Sequence, residues 1–168
     1  PTSILNYTDG DNKNILAVHS LSKRSNLAGY RGAFVIGDPT LIAQILEVRK
    51  HAGMMVPLPI QRAMVVALSD SDHVAEQRQR YNSRKARLLP ALQAAGFTID
   101  FSDAGLYLWA TRNEDCWESV SWLAQLGILA TPGIFYGEKA AQFIRIAMTA
   151  TDQQISDAAD RIQKKSGN

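Results

Sequence analysis

The chain has 168 residues, 46% of them hydrophobic and 20% charged, with 18 basic residues against 16 acidic ones. A chain of that length buries roughly 70% of the surface it would expose unfolded, so the sequence needs no staple to hold a core. The formal charge of +2, scattered apart from the Lys164–Lys165 pair, excludes a nucleic-acid surface, and no apolar run reaches the roughly 18 residues of a membrane helix.

Residues 15–18 (Ile-Leu-Ala-Val) form a short apolar run that predicts a strand buried on both faces, ending in the polar cluster His19-Ser20-Leu21-Ser22-Lys23. Gly29 and Gly32 bracket Tyr30-Arg31, and residues 33–36 predict a second buried strand closed by Gly37-Asp38. Pro39 suits the first turn of a helix through about Lys50. Pro57 and Pro59 interrupt the pattern before a helix over about 60–68. Asp70-Ser71-Asp72 opens a long helix to about Ala95, with Val74, Tyr81, Leu88 and Leu92 on one face. Pro90 is expected to kink or split that helix, and Gly96 to cap it.

Strands are predicted over 97–101 and 106–111, and Asp115 with Glu118 reads as a capping box for a helix to Leu126, closed by Gly127. Residues 143–149 predict a strand. Thr151 with Gln154 caps a last helix whose Ile155, Ala158, Ala159 and Ile162 share a face. Strands and helices alternate throughout, so the chain is an α/β protein. Cys116 is the one cysteine, which excludes a disulfide framework, fits a reducing compartment, and reads as an inert thiol near a helix start. No metal-ligand spacing occurs among the cysteine and three histidines. The chain begins at Pro1 without a targeting pattern, which reads as the middle of a longer protein.

The segment 20–32, Ser-Leu-Ser-Lys-Arg-Ser-Asn-Leu-Ala-Gly-Tyr-Arg-Gly, carries the chemistry. It places two hydroxyls and a lysine at the carboxyl end of a strand, the edge at which open α/β sheets bind ligands. Arg31 returns eight residues after Lys23 between glycines. An amine beside hydroxyls and a guanidinium suits a phosphorylated aldehyde, because the amine condenses with the aldehyde while the others hold the phosphate. Spacing alone leaves open that Lys23 is a solvated loop lysine and Arg31 a surface charge.

That segment resembles the cofactor-lysine motif of the fold type I aminotransferases, Ser-x-Ser-Lys followed by an Asn/Ala/Gly-rich turn and Gly-x-Arg-x-Gly. The resemblance implies pyridoxal 5'-phosphate as cofactor, with Lys23 the catalytic residue that forms its Schiff base. It implies that Ser20 and Arg31 bind the cofactor phosphate, with Ser22 beside them. A second stretch, Pro132-Gly133-Ile134-Phe135-Tyr136-Gly137 followed by Phe143-Ile144-Arg145-Ile146-Ala147, resembles the family's closing motif, which makes Arg145 the anchor of the substrate α-carboxylate. Without the motif, Arg145 reads as an edge-strand arginine paired with a surface acid.

The resemblance covers nearly the whole chain, and stretches such as Ser102-Asp103-Ala104-Gly105-Leu106-Tyr107-Leu108-Trp109 are similar to actinobacterial N-succinyldiaminopimelate aminotransferases. It implies the C-terminal half of a fold type I aminotransferase, with 1–70 ending the large cofactor-binding domain and 71–168 forming the small α/β domain. The family's glycine-rich phosphate loop, ring-stacking aromatic and ring-nitrogen aspartate precede the lysine motif and have no counterpart in this sequence. A fragment of this kind is expected to transaminate badly or not at all by itself. The implied activity is ping-pong transamination between N-succinyl-diaminopimelate or glutamate and a 2-oxo acid, in lysine biosynthesis, in a cytoplasmic homodimer. Residues 54–57 are placed near its dimer-facing side or in plain core packing. A β-lyase or decarboxylase of the same fold, or a non-catalytic sensor domain, remain the alternatives.

Overall fold

The computed structural model describes residues 2–167. They divide into two compact units, one ending at Glu76 and the other starting at Gln77.

In the first unit, β1 (Leu16–Ser20) and β2 (Ala33–Gly37) pair antiparallel, Ser20 opposite Ala33 and Leu16 opposite Gly37. Between them lie a single helical turn, α1 (Leu21–Arg24), and a 3₁₀ turn, Ala28–Tyr30. The helix α2 (Pro39–His51) starts on Asp38, whose buried carboxylate accepts from Thr40 N and Leu41 N at 2.7 and 3.3 Å and from Asn14 N at 2.7 Å. The Asn14 amide, with those of Thr40 and Leu41, holds this carboxyl below the ordinary range against the opposing effect of burial. The helix α3 (Leu58–Ser69) has Pro57 at its N-cap and Pro59 in its first turn, where a missing N–H costs nothing.

The expectation of strands buried on both faces is corrected. Ala17 is buried, but Val18 is 70% exposed and Ile36 41%. A two-stranded ribbon has two faces, and Leu46 of α2 with Met64 and Leu68 of α3 lines a cavity beside Ala33, Phe34 and Val35. Because the two strands run antiparallel, the ligand rule for parallel open sheets does not apply to this pair.

The helix α4 (Asp72–Ala94) begins in the first unit and contributes most of its length to the second. It continues through Pro90 as one helix, so the expected split does not occur. The proline removes one backbone bond, to the Ala86 carbonyl, while Leu88, Ala91 and Leu92 stay buried on either side of it.

In the second unit β3 (Thr98–Asp100), β4 (Tyr107–Thr111), β5 (Thr131–Pro132) and β6 (Phe143–Ala147) make an antiparallel sheet in the order β3-β4-β6-β5. The helices α5 (Cys116–Gln125) and α6 (Asp152–Ser166) complete it. Asp115 caps α5 by accepting from Trp117 N, and Thr151 with Gln154 forms a full capping box on α6. Alternation along the strands sends Leu108, Ala110, Ile144 and Ile146 to one face. There they form one core with Leu88, Leu92, Leu123, Ile155 and Ile162. The thiol of Cys116 is buried in that core. Arg84 of α4 also reaches Asp152 and the Met148 carbonyl, at 2.5 and 3.0 Å, tying α4 to the start of α6.

Asp38 gives a pH-dependent contribution with a defined sign. Its carboxyl is depressed in the folded chain, so its stabilisation is complete above the unfolded pKa of about 3.9 and is lost as pH falls through the folded value. Asp38→Asn is therefore expected to lower the melting temperature at pH 7, by a margin that shrinks at an acidic pH below the ordinary carboxylate range. Thermal unfolding at both pH values checks this, and a constant difference between the two proteins would refute it.

Candidate functional site

The first candidate site is the turn between β1 and β2. Leu21 anchors it: the side chain is 1% exposed, its amide donates to the Gly32 carbonyl at 3.4 Å, and its carbonyl accepts from Ser25 N and Leu27 N at 3.0 and 3.3 Å. Those bonds fold residues 21–27 back on themselves and bring Gly32, with Arg31 before it, beside the start of α1. Ser20 caps α1, its Oγ accepting from Ser22 N at 3.1 Å and donating to Ser22 Oγ at 2.9 Å. Lys23 is on the exposed side of the same turn. Arg31 has a left-handed backbone (φ 53°), uncommon for a residue with a side chain, and donates from Nη1 to the Ala28 carbonyl at 3.0 Å. Asn26 is left-handed as well (φ 53°), as asparagine tolerates. A Cβ at Gly32 would stand 2.9 Å from Met64 Sδ, so glycine lets α3 pack against the end of the turn.

Two residues outside the motif brace this turn. His73 bridges Asp70 Oδ2 at 2.9 Å through Nδ1 and Ser25 Oγ at 3.0 Å through Nε2. Arg24 donates to Ser25 Oγ at 3.2 Å and to the Ala67 carbonyl at 2.8 Å. Asp70 also accepts from Asp72 N at 2.8 Å, and that bond, followed by the one from His73, holds its carboxyl below the ordinary range. Sequence reasoning missed this brace; its one signal was His73 three residues after an N-terminal aspartate.

The second candidate site is on the sheet of the other unit. Arg145 is on β6, between β4 and β5, opposite Trp109 and Thr131. It is not an edge-strand arginine. Its face carries Tyr107, Trp109 and Phe143, the residues that alternate with the buried ones. The Arg145 Cζ stands 4.2 Å from the Tyr107 ring centroid and 5.4 Å from that of Tyr136. Trp109 stacks on Phe143 at 5.2 Å and meets Tyr136 edge-on at 5.6 Å. Arg145 Nε is buried with no hydrogen-bond partner, the one such side-chain atom recorded among the described residues. Tyr136 reaches this place from a 3₁₀ turn, Gly133–Tyr136. A Cβ at Gly133 would lie 2.1 Å from the Ala140 carbonyl oxygen and 2.4 Å from that of Phe143, so only glycine allows the turn so close to the sheet. Among the described residues no group of histidine, cysteine and carboxylate side chains could hold a metal ion.

The family model for aminotransferase class I and II matches residues 1–162. The chain is 58% identical, over 96% of its length, to a "Probable aminotransferase" of Mycobacterium tuberculosis, of which it covers 39%. It is 56% identical to the 4-dedimethylamino-4-oxo-anhydrotetracycline transaminase OxyQ of Streptomyces rimosus, over 96% of this chain and 46% of that one. A solved structure of a "probable N-succinyldiaminopimelate aminotransferase" from Thermus thermophilus superimposes with a TM-score of 0.77 at 26% identity, over 92% of this chain and 43% of that one. The chain thus spans less than half the length of each relative.

The brace predicts a local effect. His73→Ala is expected to speed amide exchange across residues 21–27 while leaving the β4 and β6 amides unchanged. Hydrogen exchange read by mass spectrometry tests it, and unchanged protection at 21–27 would show that the bridge does not restrain the turn.

Proposed function

The chain belongs to the aminotransferase class I and II family, whose members depend on pyridoxal phosphate, and we propose that the protein is a transaminase with Lys23 as its cofactor lysine. The observation that carries this reading is the turn at 20–32, where one exposed amine, two hydroxyls joined at 2.9 Å and a guanidinium share a single folded segment. That donor set fits a phosphate monoester bearing an aldehyde, since hydroxyls and a guanidinium donate to phosphate oxygens and a primary amine condenses with a carbonyl. Ser20, Ser22 and Arg31 would hold the phosphate.

When bound, pyridoxal phosphate supplies the electron sink that makes the Cα proton of an amino acid removable. Lys23 would hold the cofactor through Nζ, and in its free form the same Nζ would carry the proton away from the substrate Cα. Arg145 orients the amino acid by donating from Nε and a terminal nitrogen to its α-carboxylate. A 2-oxo acid then enters against the same arginine, which gives ping-pong turnover.

The proposed substrate pair is N-succinyl-diaminopimelate or glutamate with a 2-oxo acid, as in lysine biosynthesis, supported by the likeness to the Thermus thermophilus protein. A second reading, a polycyclic ketone like that named for the Streptomyces rimosus relative, is favoured by exposed Phe135 and half-exposed Trp117, whose rings meet edge-on at 5.8 Å. Arg145 suits the α-carboxylate of the amino donor in either reading, so the acceptor is what distinguishes them. The proposed protein is a cytoplasmic homodimer in which the exposed Met54 and Met55 face the partner. No helix among the described residues is long and apolar enough to cross a membrane.

Borohydride reduction of the cofactor-loaded protein followed by peptide mapping is expected to leave a pyridoxyl group on Lys23. Label on a different lysine would overturn the assignment. Lys23→Ala is expected to abolish turnover with either substrate pair, and product analysis separates transamination from β-elimination or decarboxylation. Arg31→Ala is expected to weaken cofactor retention by roughly ten- to a hundredfold, the effect of losing one charge-assisted phosphate contact worth about 1.5–3 kcal/mol. A spectrophotometric cofactor titration that showed unchanged affinity would remove Arg31 from the phosphate site.

A further inference from the structure

We propose that Tyr107 and Tyr136 are positioning residues that hold Arg145 through their ring faces, so that its N–H donors remain available for the carboxylate of the substrate. This rests on the reading of Arg145 as a carboxylate anchor and adds how the anchor is kept ready.

A guanidinium removed from water is normally fixed by an acid, and the second unit shows this at Arg84, paired with Asp152, and at Arg112. Arg112 lies over Phe97 and Trp122 at 4.9 and 4.8 Å, and its Nε and Nη2 both donate to Glu114 Oε1, at 2.8 and 2.5 Å. Its hydrogen-bonding capacity is taken up inside the protein. Arg145 has the same kind of aromatic surroundings, with Tyr107 at 4.2 Å and Tyr136 at 5.4 Å, but among the described residues no acid is paired with it and its Nε has no acceptor. The attraction of a cation to a ring face replaces part of the lost hydration without offering a lone pair to the N–H groups.

The sheet and the glycine turn fix the two rings independently. Tyr107 is two residues from Trp109, the residue directly opposite Arg145, so it occupies the diagonal cross-strand position on the same face. Tyr136 approaches from outside the sheet on the turn that Gly133 makes possible, and the edge of Trp109 steadies it at 5.6 Å. One ring therefore comes from a strand and the other from a loop.

The test uses the cofactor-loaded protein and two measurements: steady-state kinetics with the amino donor, and calorimetric titration with glutarate, a dicarboxylate that cannot react. Tyr107→Leu is expected to raise both the glutarate Kd and the donor KM about five- to tenfold, between the effects of an exposed and a fully desolvated cation–π contact, with kcat within about twofold. Tyr107→Phe keeps the ring and is expected to restore most of the affinity. Tyr136→Leu, at a half-exposed position that tolerates the change, is expected to raise both values about two- to threefold. Should Tyr107→Leu fail to fold, Tyr136→Leu decides. The clamp is overturned if both leucine variants bind glutarate as the wild type does while Arg145→Ala loses it, or if Tyr107→Phe is as weak as Tyr107→Leu. If Arg145→Ala binds glutarate normally, the anchor reading itself falls.

Discussion

Burying part of a charged group without pairing it is costly, and the sheet of the second unit carries such a group, Arg145, whose Nε is buried with no partner among the described residues. The two-residue period of β4 and β6 creates the situation. Leu108, Ala110, Ile144 and Ile146 must face the helices to make the core, so Tyr107, Trp109, Phe143 and Arg145 must face the other way. The packing that stabilises the unit therefore also decides which residues meet on the opposite face. A shift of one residue between β4 and β6 would put the guanidinium among buried leucines and isoleucines and bring the aromatic rings to the wrong side.

The turn that carries Lys23 relies on a different device. It has little core of its own, and Leu21 is its one fully buried side chain. Backbone bonds around Leu21 set its shape, and polar bridges from Arg24 to the Ala67 carbonyl and from His73 to Ser25 fasten it to the end of α3 and the start of α4. The left-handed backbone at Asn26 and Arg31 is sustained by those restraints. The lysine thus stands on an exposed segment whose shape is set by hydrogen bonds rather than by burial.

Much of this was legible in the sequence, and the reasons differ by element. The capping pair Thr151 and Gln154 and the face Ile155, Ala158, Ala159, Ile162 were readable because local periodicity and cap chemistry act within a few residues, and the buried side chains of α6 include those four. The 3₁₀ turn at Gly133 was readable only as a motif, since what forces glycine there is the carbonyls of Ala140 and Phe143, brought close by tertiary folding. The ribbon of β1 and β2 misled because an apolar run reports what a strand can bury, not which of its faces a neighbour covers. The residues of the candidate sites could be named from their motif, but the partners Tyr107, Tyr136 and His73 could not, because strand register and helix placement decide who touches whom.

The apolar setting of Arg145 bears on how the protein responds to its solution conditions. An ion pair on a protein surface weakens as dissolved ions screen it, over a distance of about 8 Å at physiological strength. The rings at 4.2 and 5.4 Å act at contact range, well inside that screening distance. The orientation of the guanidinium is thereby decoupled from the ionic strength of the medium, even though the encounter with an anionic substrate remains sensitive to it. Salt should slow the arrival of such a substrate more than it loosens the fit once the substrate is in place.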